Sequence, residues 1–300
     1  GVSSAASDVY KRQHGELVMH PSARPYAERR IALLTQHGKE RVIAPALEPG
    51  LGCTIEHVSG FDTDLLGTFT RETARAGSQL EAARRKARKG MELSGLDAGL
   101  ASEGSFGPDP FTGMVPWNVE LIAWLDDRMG IEVVGMAQGP ACSGHLLTDD
   151  WNAVEAFAQR EGFPEHQLVM RPESQDDTRM HKGIADWDRL RHCFDACQAQ
   201  ASNRQVFVET DLRAFANPTR MRLIEQAAQN LLQRLQSSCP ACNAPGYWVT
   251  ERIPGLACSA CGRPTASCRT EVWSCPRCEY QSRVNKVARA DPRHCARCNP

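Results

Sequence analysis

Eight cysteines in the last quarter of the chain fall into four C-x-x-C pairs: Cys239 with Cys242, Cys258 with Cys261, Cys275 with Cys278, and Cys295 with Cys298. Two thiolates on one tight knuckle supply two corners of a tetrahedron, so two knuckles complete a four-sulfur metal site. Fifteen residues separate the first pair from the second, and sixteen the third from the fourth. This spacing predicts two consecutive zinc ribbons, each with an arm long enough to return as a small hairpin. A cross-braced arrangement, in which the two sets interleave, is the alternative. Pro240, Pro276 and Gly262 help the backbone turn at the knuckles. So short a segment holds too few apolar side chains for a core of its own. Metal must supply the stability, about 10 to 16 kcal/mol per structural site in apparent terms. With sulfur at all four positions, neither zinc keeps an open place for a catalytic water, and the expected role is structural. Disulfides and iron are the competing fates of such thiols. Cys268 lies between the sets with no evident partner, and His294, beside Cys295, reads as a bystander.

The same segment is basic. Residues 239–300 hold nine Lys/Arg against four Asp/Glu, so the preceding residues carry −6 of an overall −1. Arg277, Arg283, Lys286, Arg289, Arg293 and Arg297, with Trp273 and Tyr280 nearby, suit backbone contacts and stacking on nucleic acid. A solvated ribbon whose aromatics pack on the rest of the protein explains them equally simply.

Outside the tail, several residues stand where chemistry is commonly done. His37-Gly38-Lys39-Glu40 lies where a strand hands over to a helix. Backbone amides there, with the Lys39 ammonium, would form an anion site; an ordinary turn with a surface lysine is the plainer reading. Glu103 is expected at a strand end before a Gly-rich loop, Gly104 to Pro108, where a carboxylate could hold magnesium or orient water. A loop cap would look the same. Asp62 and Asp64 could ligate a hard cation or build an Asx turn. Arg213 and Arg220 flank Asn217-Pro218-Thr219 and could reach a phosphate, while Asn217 or Thr219 caps the helix that follows. Arg84, Arg85, Lys86, Arg88 and Lys89 wrap a helix and read mainly as solvated, with Arg84 the best placed to face a ligand. Cys193 and Cys197 share one helix face and read as buried thiols. No P-loop, G-x-G-x-x-G or Ser-His-Asp signature is present.

The elements that must position these residues alternate. Strands are expected at Ile31–Thr35, Cys53–Val58, Gly99–Ser102, Gln167–Arg171 and Val206–Val208, and a hairpin at Val119–Leu125 with Ile131–Met136. Helices are expected from Glu40 through Leu47, over Ser78–Leu93 with Ser78 and Glu81 as a capping box, from Thr148 or Asp149 to Gln159, over Asp186–Gln200 and over Thr219–Leu235. Interleaved helices and strands with a hairpin predict an α/β fold around a mixed sheet. With 41% hydrophobic and 24% charged residues, the composition is that of a globular protein. No run approaches the ~18 apolar residues of a membrane span. Cysteines paired for metal point to a reducing compartment, and a cytoplasmic location is expected.

Residues 31–300 resemble an uncharacterised bacterial family known only as a domain of unknown function. The resemblance rests on Thr35–Glu40, Phe61–Asp64, Gly67–Thr70, Ala101–Pro108, Val208–Asp211, Asn217–Met221 and the cysteine tail. Over residues 31–235, the order of elements also looks like that of inosine/xanthosine triphosphate pyrophosphatases. That resemblance places a phosphate-holding lysine at Lys39, an "A-x-x-R-A" helix around Ala82–Ala87, an acidic Gly-rich loop at Glu103-Gly104 and a hairpin ending near Gly135. The insertion-like Ser105–Pro108 departs from it. It implies a magnesium-dependent hydrolase or binder of nucleoside phosphates, with Glu103 and Lys39 catalytic and His37, Arg84, Arg213 and Arg220 binding substrate. The rival is a non-catalytic zinc-ribbon module that binds nucleic acid or protein.

The expected organisation is therefore residues 1–18 as a lead-in, 19–236 as a mixed α/β domain, and 237–300 as the zinc tail. Gly1 to Gln13 looks like a translated sequencing adapter, which makes Met19 the expected start.

Overall fold

A computed structural model describes residues 25–60 and 78–300. The adapter-like lead-in, Met19, Asp62, Asp64 and the Phe61–Thr70 segments lie outside the described residues.

The first sheet has the order β2-β1-β3-β4-β5. Its strands are β1 (Arg30–Leu34), β2 (Thr54–Val58), β3 (Ala98–Pro108), β4 (Pro116–Asp126) and β5 (Ile131–Pro140). β1 runs parallel to β2 and β3, while β3, β4 and β5 form an antiparallel meander, so the sheet is mixed. Helix α1 (Glu40–Leu51) carries the chain from β1 to the parallel edge strand β2, and α2 (Gln79–Ser94) packs on the opposite face. Ser78 and Glu81 form the expected capping box, and Gly95 closes α2 in the left-handed conformation that favours glycine. On one face, Ile43, Leu47, Ile224 and Leu231 bury against Leu33, Leu100, Ile122 and Trp124. On the other, Ala87 and Met91 meet Leu34, Ala101 and Leu125. Apolar stripes at helical spacing thus cover both sides of the sheet, giving three layers.

The Gly-rich stretch after Ser102 is strand, not loop. β3 continues to Pro108 and stays in register with β4 throughout, from Ala98 opposite Asp126 to Pro108 opposite Pro116. Gly104 and Gly107 lower the local strand preference, but eleven residues of β4 pairing override it. Glu103 consequently lies in mid-strand.

A second sheet was not foreseen. Its order is β6-β9-β7-β8 and every pairing is antiparallel. It comprises β6 (His145–Thr148), β7 (Leu168–Pro172), β8 (His181–Ile184) and β9 (Val206–Thr210). Helices α3 (Trp151–Arg160) and α4 (Trp187–Gln200) cover one face, where Phe157, Leu190, Cys193 and Phe194 bury on Met170, Val206 and Val208. α3 is capped by Asp150 rather than Thr148 or Asp149. The four-residue strands β6 and β8 carry too short a pattern to stand out in the sequence. The chain then returns to the first sheet through α5 (Pro218–Gln236), capped by Asn217, which packs on β4 and β5 and beside α1.

The tail forms a third, antiparallel sheet of β10 (Trp248–Pro254), β11 (Cys268–Ser274) and β12 (Gln281–Asn285). It is tied to the body at Gly246, whose N–H donates to the carbonyls of Arg234 (3.1 Å) and Ser237 (3.0 Å). Arg234 lies over the Trp248 ring at 5.5 Å. Among the described residues, no helix is long and apolar enough to cross a membrane.

Candidate functional site

The eight C-x-x-C sulfurs form two tetrads, and in each the ligand atoms all lie within 4.8 Å of one another. Their partners differ from the expected consecutive sets. Cys239 and Cys242 join Cys275 and Cys278, while Cys258 and Cys261 join Cys295 and Cys298. The reason is the meander. Each arm between knuckles forms one strand rather than a hairpin, so successive knuckles emerge at opposite ends of the sheet. A seven-residue strand separates them by about 23 Å at ~3.3 Å per residue, too far to share an ion. The first and third knuckles meet at one end, the second and fourth at the other. The nearest sulfurs are 3.8 Å (Cys239–Cys278), 3.6 Å (Cys242–Cys275), 3.9 Å (Cys258–Cys298) and 3.6 Å (Cys261–Cys295) apart. Metal–sulfur bonds of about 2.3 Å in a tetrahedron place sulfurs about 3.8 Å apart, so both tetrads fit a metal ion. The backbone adopts the left-handed turn straight after each of the first two knuckles, at Asn243 (φ 57°) and Gly262 (φ 71°). The amides of Arg277 and Cys278 donate to the Cys275 sulfur at 3.3 and 3.4 Å. Cys268 belongs to neither tetrad, and its thiol donates to the Thr270 carbonyl. His294 is in neither tetrad.

The second constellation lies where the parallel strands β1 and β3 run toward their carboxyl ends. The turn after β1 places Lys39 at the start of α1, and its Nζ donates to the Ser102 carbonyl at 3.1 Å. Lys39 is 6% exposed. Burial, then the positive charge of Arg220, pushes its ammonium down to about 8, against pulls from Glu120 and Glu103. Glu103, on the α2 face of β3, pairs with Lys86. On the α5 face, Glu120 of β4 lies opposite Gly104 and pairs with Arg220 of α5 at 2.8 Å. Both side chains are almost wholly buried, and Arg220 also donates to the Leu212 carbonyl. A Cβ on Gly104 would stand 2.1 Å from Glu120 Oε1 and 2.7 Å from an Arg220 nitrogen; glycine is required here for the ion pair to cross the strand. Three buried oxygens in this region, Ser102 Oγ, Asn118 Oδ1 and Glu120 Oε2, have no hydrogen-bond partner among the described residues. Buried polar atoms are normally paired, so this grouping is unusual. Among the described residues the cluster brings together three cations, Lys39, Lys86 and Arg220, and two carboxylates, Glu103 and Glu120.

Of the residues singled out in the sequence, Lys39 therefore lies within electrostatic reach of both Arg220 and Glu103, which face opposite sides of the sheet. His37 and Arg213 meet instead around Phe215: the His37 ring lies 5.9 Å from it and the Arg213 guanidinium 4.7 Å. Arg213 is held by Asp211. Arg84 bridges to Glu132 of β5 at 2.7 Å on the surface. The inward-facing cation of α2 is Lys86, which sequence reading had left solvated. Glu120, Ser102 and Asn118 were missed as well. Their one signal is Glu120 itself, a carboxylate in the otherwise apolar run Val119–Leu125. Cys193 and Cys197 are buried, as expected.

These features define an α/β protein with a mixed central sheet, a buried cluster of paired charges, and a tail whose cysteines can hold two metal ions. The chain belongs to the family described as Domain of unknown function (DUF6671), whose model matches residues 86–300. That span takes in Lys86, Glu103, Glu120, Arg220 and all eight tetrad cysteines, while Lys39 precedes it. No curated protein matches the chain.

Proposed function

We propose that this protein binds nucleoside phosphates at the Lys39 cluster and, with magnesium, hydrolyses a phosphoanhydride, while two zinc ions hold its tail folded. The observation that supports the reading is that the buried cations Lys39 and Arg220 lie beside buried oxygens with no hydrogen-bond partner among the described residues. Lys39 and Arg220 are the right charges for phosphate oxygens. Glu120 Oε2, Ser102 Oγ and Asn118 Oδ1 are hard donors of the kind magnesium takes. Glu103, steadied by Lys86, would orient the attacking water. In such a step water adds to one phosphorus, the bridging oxygen departs with the other phosphate, and the water's proton passes to a carboxylate or to solvent. Zinc is the fitting ion for the tail because all-thiolate tetrahedral sites suit it and it brings no redox chemistry of its own.

The rival, a tail that grips nucleic acid, gains less support. Tyr247 packs in tilted contact with Trp273 and Tyr280, and Trp248 with Trp273. Arg252 and Lys286 lie near Glu271, and Arg293 is held by Asp291.

The test is a panel of nucleoside di- and triphosphates incubated with metal-loaded protein and magnesium. Turnover of at least one substrate is expected. Glu103→Gln and Lys39→Met should each lower kcat by about 100-fold or more with an unchanged circular dichroism spectrum. Absence of both turnover and binding across the panel would overturn the proposal, and salt-sensitive RNA or DNA binding lost on deleting the tail would favour the rival.

A further inference from the structure

Between the two sheets lies an open cleft of about 400 Å³, within the usual range for small-molecule sites. Its two walls differ in chemistry. One is the tip of the β3–β4 hairpin, which presents Phe106, Met114 and Val115. Met114 is 82% exposed, an apolar side chain with little cover from the fold. Asp109 makes this tip rigid. Its carboxylate accepts from the backbone N–H groups of Phe111, Thr112, Met114 and Val115, all between 2.6 and 2.9 Å.

The opposite wall is the face of the second sheet that α3 and α4 leave uncovered. Val206 and Val208 point to the helices, so Phe207 and Glu209 of β9 point the other way. Glu209 lines the cleft with Ser143, His145 and Thr210. His145 pairs with Glu209 across the ladder and stacks on Phe207 at 5.7 Å. Arg171, its side chain 4% exposed, donates to Glu209 Oε1 at 2.8 Å and fixes the carboxylate. Glu209 Oε2 has no hydrogen-bond partner among the described residues. An ionised carboxylate only accepts hydrogen bonds, so a ligand edge read by Glu209 must donate. The floor of the cleft adjoins the charged cluster: the Phe106 ring lies 5.7 Å from the Arg220 guanidinium, and Leu212, which also lines the cleft, accepts from Arg220.

We propose that this cleft takes the flat ring of the bound nucleotide and that Glu209 selects bases presenting adjacent N–H donors, as guanine does. The ring lies against the Phe106–Met114 wall while its donor edge meets the carboxylate. Adenine, with an acceptor nitrogen at the corresponding place, sets a lone pair against that oxygen and is disfavoured. The assignment of the ring to a nucleotide rests on the phosphate-binding reading above; the preference for a donor edge rests on the cleft alone.

Calorimetric titration with guanosine, inosine and adenosine monophosphates, and separately with inorganic pyrophosphate, tests both parts. Guanosine monophosphate should bind about tenfold or more tighter than the adenosine form, with inosine between, because a site built for donors rejects an analogue that lacks them. Glu209→Gln should bring the ratio near unity and leave pyrophosphate binding unchanged. Met114→Glu, at an exposed position that folding tolerates, should weaken every nucleotide without touching pyrophosphate. Equal affinity for all three bases, or a preference that survives Glu209→Gln, overturns the proposal even if pyrophosphate binds. A guanosine preference without pyrophosphate binding upholds the ring site and sinks the phosphate reading. Failure of all ligands to bind sinks both.

Discussion

Lys39 shows how a single residue's chemistry is set by its surroundings. A lysine in water keeps its proton to about pH 10.4; here burial and the neighbouring Arg220 push it down to about 8. The charged form is thus disfavoured by folding, and the unfolded chain holds the proton more tightly. Between pH 8 and 10.5 unfolding takes up a proton, so Lys39 makes the folded state more stable as pH rises through that window. Lys39→Met removes this dependence. The variant should gain stability over the wild type below pH 8, and the gap should close toward pH 10.5, as read by urea unfolding at several pH values. A gap that stays constant with pH would show that the ammonium is not desolvated.

At the scale of elements, the site depends on how closely α5 lies on the first sheet. Arg220 reaches Glu120 only because the helix sits tight on β4 and β5. Gly135 of β5 permits this. A Cβ there would stand 2.5 Å from the Ala227 carbonyl oxygen and 2.5 Å from Leu231 Cβ, both fixed by the helix. Backbone atoms of a packed helix cannot swing aside as a side-chain tip can. Gly135→Ala should therefore push α5 outward and cost about 1 to 3 kcal/mol, visible as a lowered midpoint in thermal or urea unfolding. If the proposed function holds, nucleotide binding should weaken in the same variant as the Arg220–Glu120 pair is pulled apart. Gly139, further along the same strand, has its nearest neighbour at 3.4 Å, so Gly139→Ala serves as the control and should be close to neutral. Equal effects at the two positions would show that helix approach is not the cause.

At the scale of the whole molecule, the two tetrads clamp opposite ends of one three-stranded sheet. Neither half of the tail can then fold without the other. The tetrad of Cys239, Cys242, Cys275 and Cys278 is also the one beside the body: a Cβ on Gly246 would lie 2.6 Å from Val133 of β5 and 3.0 Å from Pro276. Intact reduced protein should carry two equivalents of zinc by elemental analysis. Cys242→Ser should lower the affinity of the second site as well as abolishing the first, since removing one clamp frees the strands that present the other. Consecutive, independent ribbons would instead leave the Cys258 site at full affinity. Chelation should release the tail in a single step, followed by Trp248 and Trp273 fluorescence, while α1 to α5 keep their far-ultraviolet signal.

The sequence by itself determined whatever depends on near neighbours. The capping box at Ser78 and Glu81, the Asn217 cap, the β4–β5 hairpin and the four cysteine knuckles are local patterns, because helix caps, strand alternation and metal-ligand turns are satisfied within a few residues. Lys39 could be picked out as a candidate because it stands at a junction of elements, whereas Glu103 was picked for an expected strand end that proved to be mid-strand. Only the tertiary structure decided which knuckles share an ion, that Glu103–Pro108 is strand, that the body forms two sheets, and that Lys86 and Glu120 reach the cluster while Arg84 and Arg213 do not. In each case the physical reason is pairing across long stretches of chain. A strand's partner, a cysteine's second knuckle and a buried charge's counterion are fixed by register and approach between distant segments, which no short window of residues records.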